Sequence, residues 1–247
     1  MRRKRRPLTL LISAGPTREP IDPVRFISNY STGYMGARLA AEALARGHRV
    51  VIVRGPTEEP MPAGARIVAV ETSGEMARAL HREGAHADVV LMAAAVCDFR
   101  PARVASRKLP RQATRSLRLE ATPDLIAQLP RRVGQLRAGF ALETGGVIPR
   151  ARRKLRAKRL DLVLAQQLPT PKRLVRGQAN GGGLRPGARG WRAGAPFGRR
   201  AVRAWLLGPG NEVEALGVRS KSALARALLD KAEALWYGQR RLLGRQN

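Results

Sequence analysis

The run Asn29-Tyr-Ser-Thr-Gly-Tyr-Met-Gly36 sets two hydroxyls, Ser31 and Thr32, and a glycine, Gly33, just before a segment whose apolar residues have helical spacing. The first amides of a helix have no internal partner and carry the positive end of its dipole, so such a start can hold a phosphate. Ser, Thr and Gly equally make an ordinary helix cap, and spacing alone leaves both readings open. A second group, Met92-Ala-Ala-Ala-Val-Cys-Asp98, ends an apolar run with small residues that let a ligand approach the backbone. Asp98 then stands as a carboxylate at that point, a ligand contact or a plain loop acid. Cys97 has no histidine at a recognisable spacing and reads as an inert small residue. A third group, Arg150, Lys154 and Lys158, puts cations at i, i+4 and i+8. That row on one helical face could follow a triphosphate or form a solvated basic surface. His48, His81 and His86 fall in no metal-ligand spacing, so no protein-built metal site is expected.

Groups spread this widely need a scaffold, and the hydrophobic pattern supplies one. Leu8–Ser13 reads as a buried strand closed by Ala14-Gly15-Pro16, followed by a long loop punctuated by Pro20 and Pro23. Gly33–Ala45 has Met35, Leu39, Ala40, Ala43 and Leu44 at helical spacing and is stopped by Gly47. Arg49–Val53, Arg66–Val70 and Asp88–Ala94 read as strands, and Thr72-Ser-Gly-Glu75 has capping-box spacing ahead of a helix. Thr122 with Pro123 looks like an N-cap followed by proline at the first helical position. Arg137–Ala141 is a candidate strand, Arg150–Arg159 a basic helix and Leu160–Ala165 a strand. Val202–Leu207 and Glu212–Gly217 flank a Pro209-Gly-Asn211 turn, and Ser220 caps a closing helix to about Tyr237. Strands alternating with helices predict an α/β fold with a mostly parallel, doubly wound sheet, helices on both faces and a C-terminal hairpin plus helix. Ligands of such sheets sit at the carboxyl ends of the strands. Four stretches follow: a basic tail over 1–7, a binding core over 8–165, a basic Gly/Pro-rich loop or disordered insertion over 166–201, and 202–240 completing the same domain.

The 247 residues suit one large domain, with a core of Leu, Val, Ile and Ala because aromatics are only 4%. The lone cysteine excludes a disulfide scaffold and fits a reducing compartment. No apolar run approaches the roughly 20 residues of a membrane span, and no signal-peptide core follows the basic start, so a cytoplasmic protein is expected. Lys and Arg number 47 against 18 Asp and Glu, and between Asp161 and Glu212 there is no acid at all. That field attracts polyanions, whether nucleic acid, nucleotide triphosphates or phosphorylated metabolites, although an arginine-rich compositional habit gives the same surplus. A nucleic-acid role through the basic second half is allowed by charge, but Trp191, Trp205 and Trp236 with scarce Phe and Tyr make no stacking platform. An NAD(P)-binding reductase is the other alternative. Its G-x-G-x-x-G must follow the first strand directly, whereas 17 residues separate Gly15 from Gly33.

The block Thr17-Arg-Glu-Pro-Ile-Asp-Pro-Val-Arg-Phe-Ile-Ser-Asn29, followed by Ser31-Thr-Gly33 and Met35-Gly36, resembles the opening signature of the bacterial phosphopantothenoylcysteine synthetase family. The likeness continues through Glu71-Thr72, Ala93-Ala-Ala-Val96, Asp98, Pro123-Asp-Leu-Ile126, Gly139-Phe-Ala141 and Lys154-x-x-x-Lys158-x-Leu-Asp161. It spans roughly Leu8 to Ala165 and, more faintly, Ser220-Lys221. The resemblance implies a Rossmann-like fold and a ligase that joins 4′-phosphopantothenate to L-cysteine in coenzyme A biosynthesis. CTP would activate the carboxylate as an acyl-cytidylate with loss of pyrophosphate, and the cysteine amine would displace CMP. By the same resemblance Asn29 orients the acyl group, Arg25 aids the cysteine step, and Lys108 closes on the intermediate. Asn29, Ser31, Thr32 and Gly33 would hold phosphopantothenate. Met92, Ala93, Ala94, Asp98 and Lys108 would contact the nucleotide, as would Pro123, Asp124, Leu125, Ile126, Phe140, Lys154 and Lys158. Mg²⁺ would arrive with CTP rather than sit in a protein cage, and no flavin is expected in this chain. A homodimer and a separate phosphopantothenoylcysteine decarboxylase are the implied partners. Three departures stand out. Lys108-Leu-Pro-Arg111 replaces a lysine-rich flap, Tyr34 stands where a lysine is usual, and Gln166-Gln167 where the family has Asn-Asp.

Overall fold

The structure, a computed structural model, describes residues 6–112, 115–168 and 198–243. In chain order its first half runs β1 (Thr9–Ala14), β2 (Arg18–Pro20), β3 (Phe26–Ser28), α1 (Tyr34–Ala45), β4 (Arg49–Arg54), β5 (Arg66–Ala69), α2 (Ser73–Gly84) and β6 (Val89–Met92). The second half runs β7 (Phe99–Pro101), β8 (Leu119–Ala121), α3 (Leu125–Gln128), β9 (Leu136–Glu143), α4 (Val147–Ala157), β10 (Leu162–Gln167), β11 (Val202–Leu207), β12 (Val213–Arg219) and α5 (Lys221–Leu243). Eight strands form the main sheet in the order β12-β11-β10-β9-β6-β1-β4-β5. Six of them, from β10 to β5, pair in parallel, and β11 and β12 continue the sheet antiparallel.

The near-continuous apolar runs of β1, β6 and β10 are what strands covered on both faces require. One face carries Leu10, Ile12, Leu91, Leu162 and Leu164 against α1 and α5, with Trp236 as its largest buried side chain. The other carries Leu11, Val90, Val163 and Ala165 against α2, α3 and α4. Helix α1 lies so close on β1 that a Cβ at Gly36 would stand 2.4 Å from that of Ala14. A short glycine contact of this kind is the usual device for seating the first helix on the first strand. Thr72 caps α2 through the amide of Glu75, while the Glu75 carboxylate turns back to the amide of Glu71, one residue before the box geometry expected.

Several expectations need correcting. The loop after β1 contains an antiparallel hairpin, β2–β3, too short and proline-rich to read as strands. Thr122 does not cap α3: its hydroxyl donates to the carbonyl of Cys97, and Asp124 takes the cap through the amide of Ala127. The residue before a proline is held extended, and Thr122 accordingly continues the β8 side of a second ribbon, β7–β8. The basic helix starts earlier than expected, at Val147, and β10 runs two residues further, through Gln167. The closing helix extends to Leu243. Of the stretch proposed as a loop or insertion over 166–201, residues 169–197 lie outside the described residues. Among the described residues no helix is long and apolar enough to cross a membrane.

Candidate active site

Because six strands run in parallel, their carboxyl ends share one edge, and a cleft of about 620 Å³ opens there. Asn29, Ser31 and Gly33 enter it from the segment leading into α1. Met92, Ala93, Ala94 and Asp98 follow β6, and Pro123, Asp124, Leu125 and Ile126 form the start of α3. Phe140 comes from β9, Lys154 from α4 and Lys158 from the C-cap of that helix. Groups more than 100 residues apart in the chain thus meet because a parallel sheet delivers every strand end to the same place.

The local geometry fixes several of them. The Asn29 amide nitrogen donates to the Ala95 carbonyl at 3.0 Å, which ties the loop before α1 to the end of β6. Gly33 is the cap residue of α1 with φ 77°, a left-handed conformation that suits glycine. The Ser31 hydroxyl accepts from the Gly33 amide at 3.4 Å and the Thr32 hydroxyl from the Tyr34 amide at 3.3 Å. These contacts are long, so a better acceptor could take those amides. Arg199 stacks on the Tyr34 ring with its guanidinium carbon 4.9 Å from the centroid. The Arg38 guanidinium lies 5.4 Å from the same centroid, so two cations stand at this helix start.

On the opposite face of the sheet the Lys154 ammonium donates to the Phe140 carbonyl. Burial, and then the neighbouring Lys158, push its pKa down. Lys158 pairs with Asp124 at 3.0 Å. Arg150, expected on the same face, instead reaches out to Glu143 at 3.2 Å with a side chain 60% exposed. Each i to i+4 step drifts about 40° around a helix of 3.6 residues per turn, so residues eight apart diverge by about 80°.

Arg25, Lys108 and Thr32 do not line the cleft. Arg25 donates to the Asp22 carboxylate and, at 2.9 Å, to the Leu109 carbonyl, while the Leu109 amide donates to Asp22 at 3.1 Å. The guanidinium holds the buried Asp22 carboxyl well below the usual carboxylate range. Lys108, beside this clamp, is exposed. The Cys97 thiol donates towards the Thr17 carbonyl at 3.6 Å, and burial pushes its pKa up.

Sequence reasoning missed one cation. Lys221, in the first turn of α5, is only 4% exposed, lines the cleft, and donates to the side-chain oxygen of Gln166. Burial lowers its pKa to about 8. Two faint signals bore on it, the Ser220-Lys221 likeness and the Gln166-Gln167 departure, and nothing in the sequence joins them across 55 residues.

Among the described residues no three His, Cys, Asp or Glu side chains stand close enough to hold a metal ion. Of the cleft carboxylates, Asp124 is committed to Lys158 and Glu143 to Arg150.

With this geometry in hand, residues 6–183 match the family described as DNA/pantothenate metabolism flavoprotein C-terminal domain. The chain belongs to that family. It is 34% identical over 226 residues to a cysteine/cysteine sulfinic acid decarboxylase of an unknown prokaryotic organism, covering 90% of this chain and 57% of that protein. It is 40% identical over 174 residues to the coenzyme A biosynthesis bifunctional protein CoaBC of Escherichia coli (strain K12), covering 66% of this chain and 42% of that protein. The chain thus spans about half the length of these relatives. Among solved structures, the C-terminal domain of a coenzyme A biosynthesis bifunctional protein CoaBC superposes with a TM-score of 0.71 at 29% identity, covering 94% of this chain and 96% of that one. The family's α/β, Rossmann-like architecture is therefore this chain's architecture.

Proposed function

We propose that the chain is a ligase of coenzyme A biosynthesis joining 4′-phosphopantothenate to L-cysteine, with CTP consumed through an acyl-cytidylate. The observation that carries this reading is the meeting of Asn29, the α1 start and the Lys154–Lys158 pair in a single cleft. A carboxylate does not react with an amine directly, because the attack would have to expel an oxide. In the proposed reaction a carboxylate oxygen attacks the α-phosphorus of CTP, and the bond to pyrophosphate breaks. The cysteine amine then attacks the acyl carbon and loses a proton, and the carbon–oxygen bond to CMP breaks.

Two polyanions held side by side repel, so cations and amides must already be in place. Lys154 and Lys158 serve the triphosphate, while Ser31, Gly33 and the first amides of α1 serve the phosphate of the acid, and Thr32, outside the cleft lining, holds the Tyr34 amide. Asn29, anchored through its nitrogen by Ala95, is set to orient the acyl group. Met92, Ala93, Ala94, Asp98, the Pro123–Ile126 segment and Phe140 receive the cytidine portion. Mg²⁺ arriving with the nucleotide would neutralise part of the phosphate charge. With Asp124 paired to Lys158 and Glu143 to Arg150, no cluster of three metal-ligating side chains stands among the described residues, which suits a metal that arrives with its nucleotide. Arg25 acts from the β2–β3 turn and Lys108 from the flap, and Lys108 reaches the cleft only if the Asp22–Arg25–Leu109 clamp moves.

A homodimer belongs to this reading. Phe26 and Phe99 are 47% and 55% exposed on the two ribbons, which touch through β2 and β7, and exposed side chains of this kind suit a second copy of the chain. A flavin-dependent decarboxylase consumes the product. The direct test incubates the protein with 4′-phosphopantothenate, cysteine and Mg²⁺ and each nucleotide triphosphate in turn. Stoichiometric pyrophosphate and amide product with CTP supports the assignment; no product with any nucleotide overturns it.

A further inference from the structure

Lys221 is a buried ammonium in an unfavourable place. It lies in the first turn of α5, where the helix dipole opposes a cation, and it is 4% exposed. Among the described residues no carboxylate pairs with it; its partner is the neutral side chain of Gln166, itself 5% exposed. A buried charge without a counter-charge is normally eliminated, and each of these costs disappears once an anion sits beside the ammonium.

The topology says which part of the cleft that anion occupies. Strand β12 is antiparallel to β11, and β11 to β10, so β12 ends at the same sheet edge as β10. Helix α5 therefore starts at the cleft edge, as α1 does, and the two pack against each other on one face of the sheet. Along β10, Leu162 and Leu164 face α1 and α5, whereas Val163 and Ala165 face α4. By the two-residue alternation of a strand Gln166 points to the α1–α5 side. Lys154 and Lys158 rise from α4 and its C-cap on the other face. The cleft thus has two cation stations separated by the sheet edge.

We propose that Lys221, oriented by Gln166, binds the phosphomonoester of the acid substrate on the α1–α5 side of the cleft, in company with the amides at the start of α1. This rests on the ligase reading above and adds a binding residue to it. A phosphomonoester dianion suits a lone ammonium flanked by two helix starts, whereas the reacting carboxylate must lie against the α-phosphorus of the nucleotide. Gln166 is the positioning residue: its oxygen holds the ammonium towards the cleft. The Gln166-Gln167 departure from the family pattern thereby acquires a role.

The test is calorimetric titration of the full chain and of Lys221→Met with 4′-phosphopantothenate, with pantothenate lacking the phosphate, and with Mg²⁺-CTP. Lys221→Met should weaken phosphopantothenate by about tenfold or more, the loss of one charge-assisted contact, and leave pantothenate and CTP within about twofold. Lys221→Arg should recover part of the loss. Thermal melting of Lys221→Met should be no lower than that of the parent, which separates lost binding from lost folding. Equal weakening of pantothenate places the cation on the carboxylate and overturns the proposal, as does equal weakening of CTP or no change at all. A parent protein that binds no phosphopantothenate removes the ligase reading itself. Binding by the parent with no loss in Lys221→Met removes this proposal alone.

Discussion

Lys154 and Lys158 stand four residues apart and look interchangeable, yet the structure predicts unequal contributions to nucleotide binding. The Lys158 side chain is 33% exposed and already paired with Asp124 at 3.0 Å. A phosphate must compete with that carboxylate and with water, so the net gain is that of a surface pair, about 0.5–1 kcal/mol. Among the described residues Lys154 donates only to the Phe140 carbonyl and makes no salt bridge. Its charge is the more desolvated of the two, and a phosphate gains a charge-assisted contact of about 1.5–3 kcal/mol. Lys154→Ala should therefore weaken Mg²⁺-CTP binding by about 10–150-fold and Lys158→Ala by only about 2–5-fold. Calorimetric titration with CTP measures both, with phosphopantothenate as the control ligand for the other half of the cleft. Should Lys158→Ala prove as damaging as Lys154→Ala, or should phosphopantothenate weaken in parallel, the reasoning from burial and pairing is refuted.

Other outcomes follow from the same structure. Gly36→Ala improves helix propensity by about 1 kcal/mol but puts a Cβ 2.4 Å from that of Ala14, so overpacking should win, with a net loss of about 1–2 kcal/mol in chemical denaturation. A gain in stability would show that α1 does not lie on β1 this closely. Lys221 binds its proton less tightly when folded than when unfolded, since its pKa falls from 10.5 to about 8. The burden is therefore full below pH 8 and is relieved as pH rises towards 10.5, and stability rises with pH across that window. Lys221→Met should flatten that rise and add up to about 3 kcal/mol at neutral pH, read from denaturation midpoints at several pH values. An unchanged pH slope would show the ammonium to be solvated. The Cys97 thiol, raised by burial, should resist a thiol reagent in the native protein and react on unfolding. Rapid native labelling would place it at the surface.

Where the hydrophobic period was long and uninterrupted, as in β1, α1, β4 and β11, the sequence located the element to within a residue or so. The ribbons β2–β3 and β7–β8 were invisible, because three-residue strands held by their neighbours carry no periodic signal. The start of α3 was displaced because Thr122 and Asp124 are both good caps. The choice was made by a tertiary contact, the Thr122 hydroxyl on the Cys97 carbonyl. In the site, the glycine-and-hydroxyl start of α1 and the small residues after β6 were legible because local chemistry constrains residue type there. Arg150 was misplaced by treating a four-residue step as a full turn. Lys221 escaped notice because a lysine after a serine cap reads as an ordinary helix start, and only the antiparallel return of β11 and β12 buries it.

The central claim is that this cleft joins an acid to a nucleotide through a shared oxygen. The most direct measurement uses 4′-phosphopantothenate labelled with oxygen-18 in its carboxylate, together with CTP, Mg²⁺ and cysteine, and analyses the products by mass spectrometry. The account predicts one labelled oxygen in CMP for each amide formed. Amide formation with the label in orthophosphate or pyrophosphate, or CMP released without label, would contradict it.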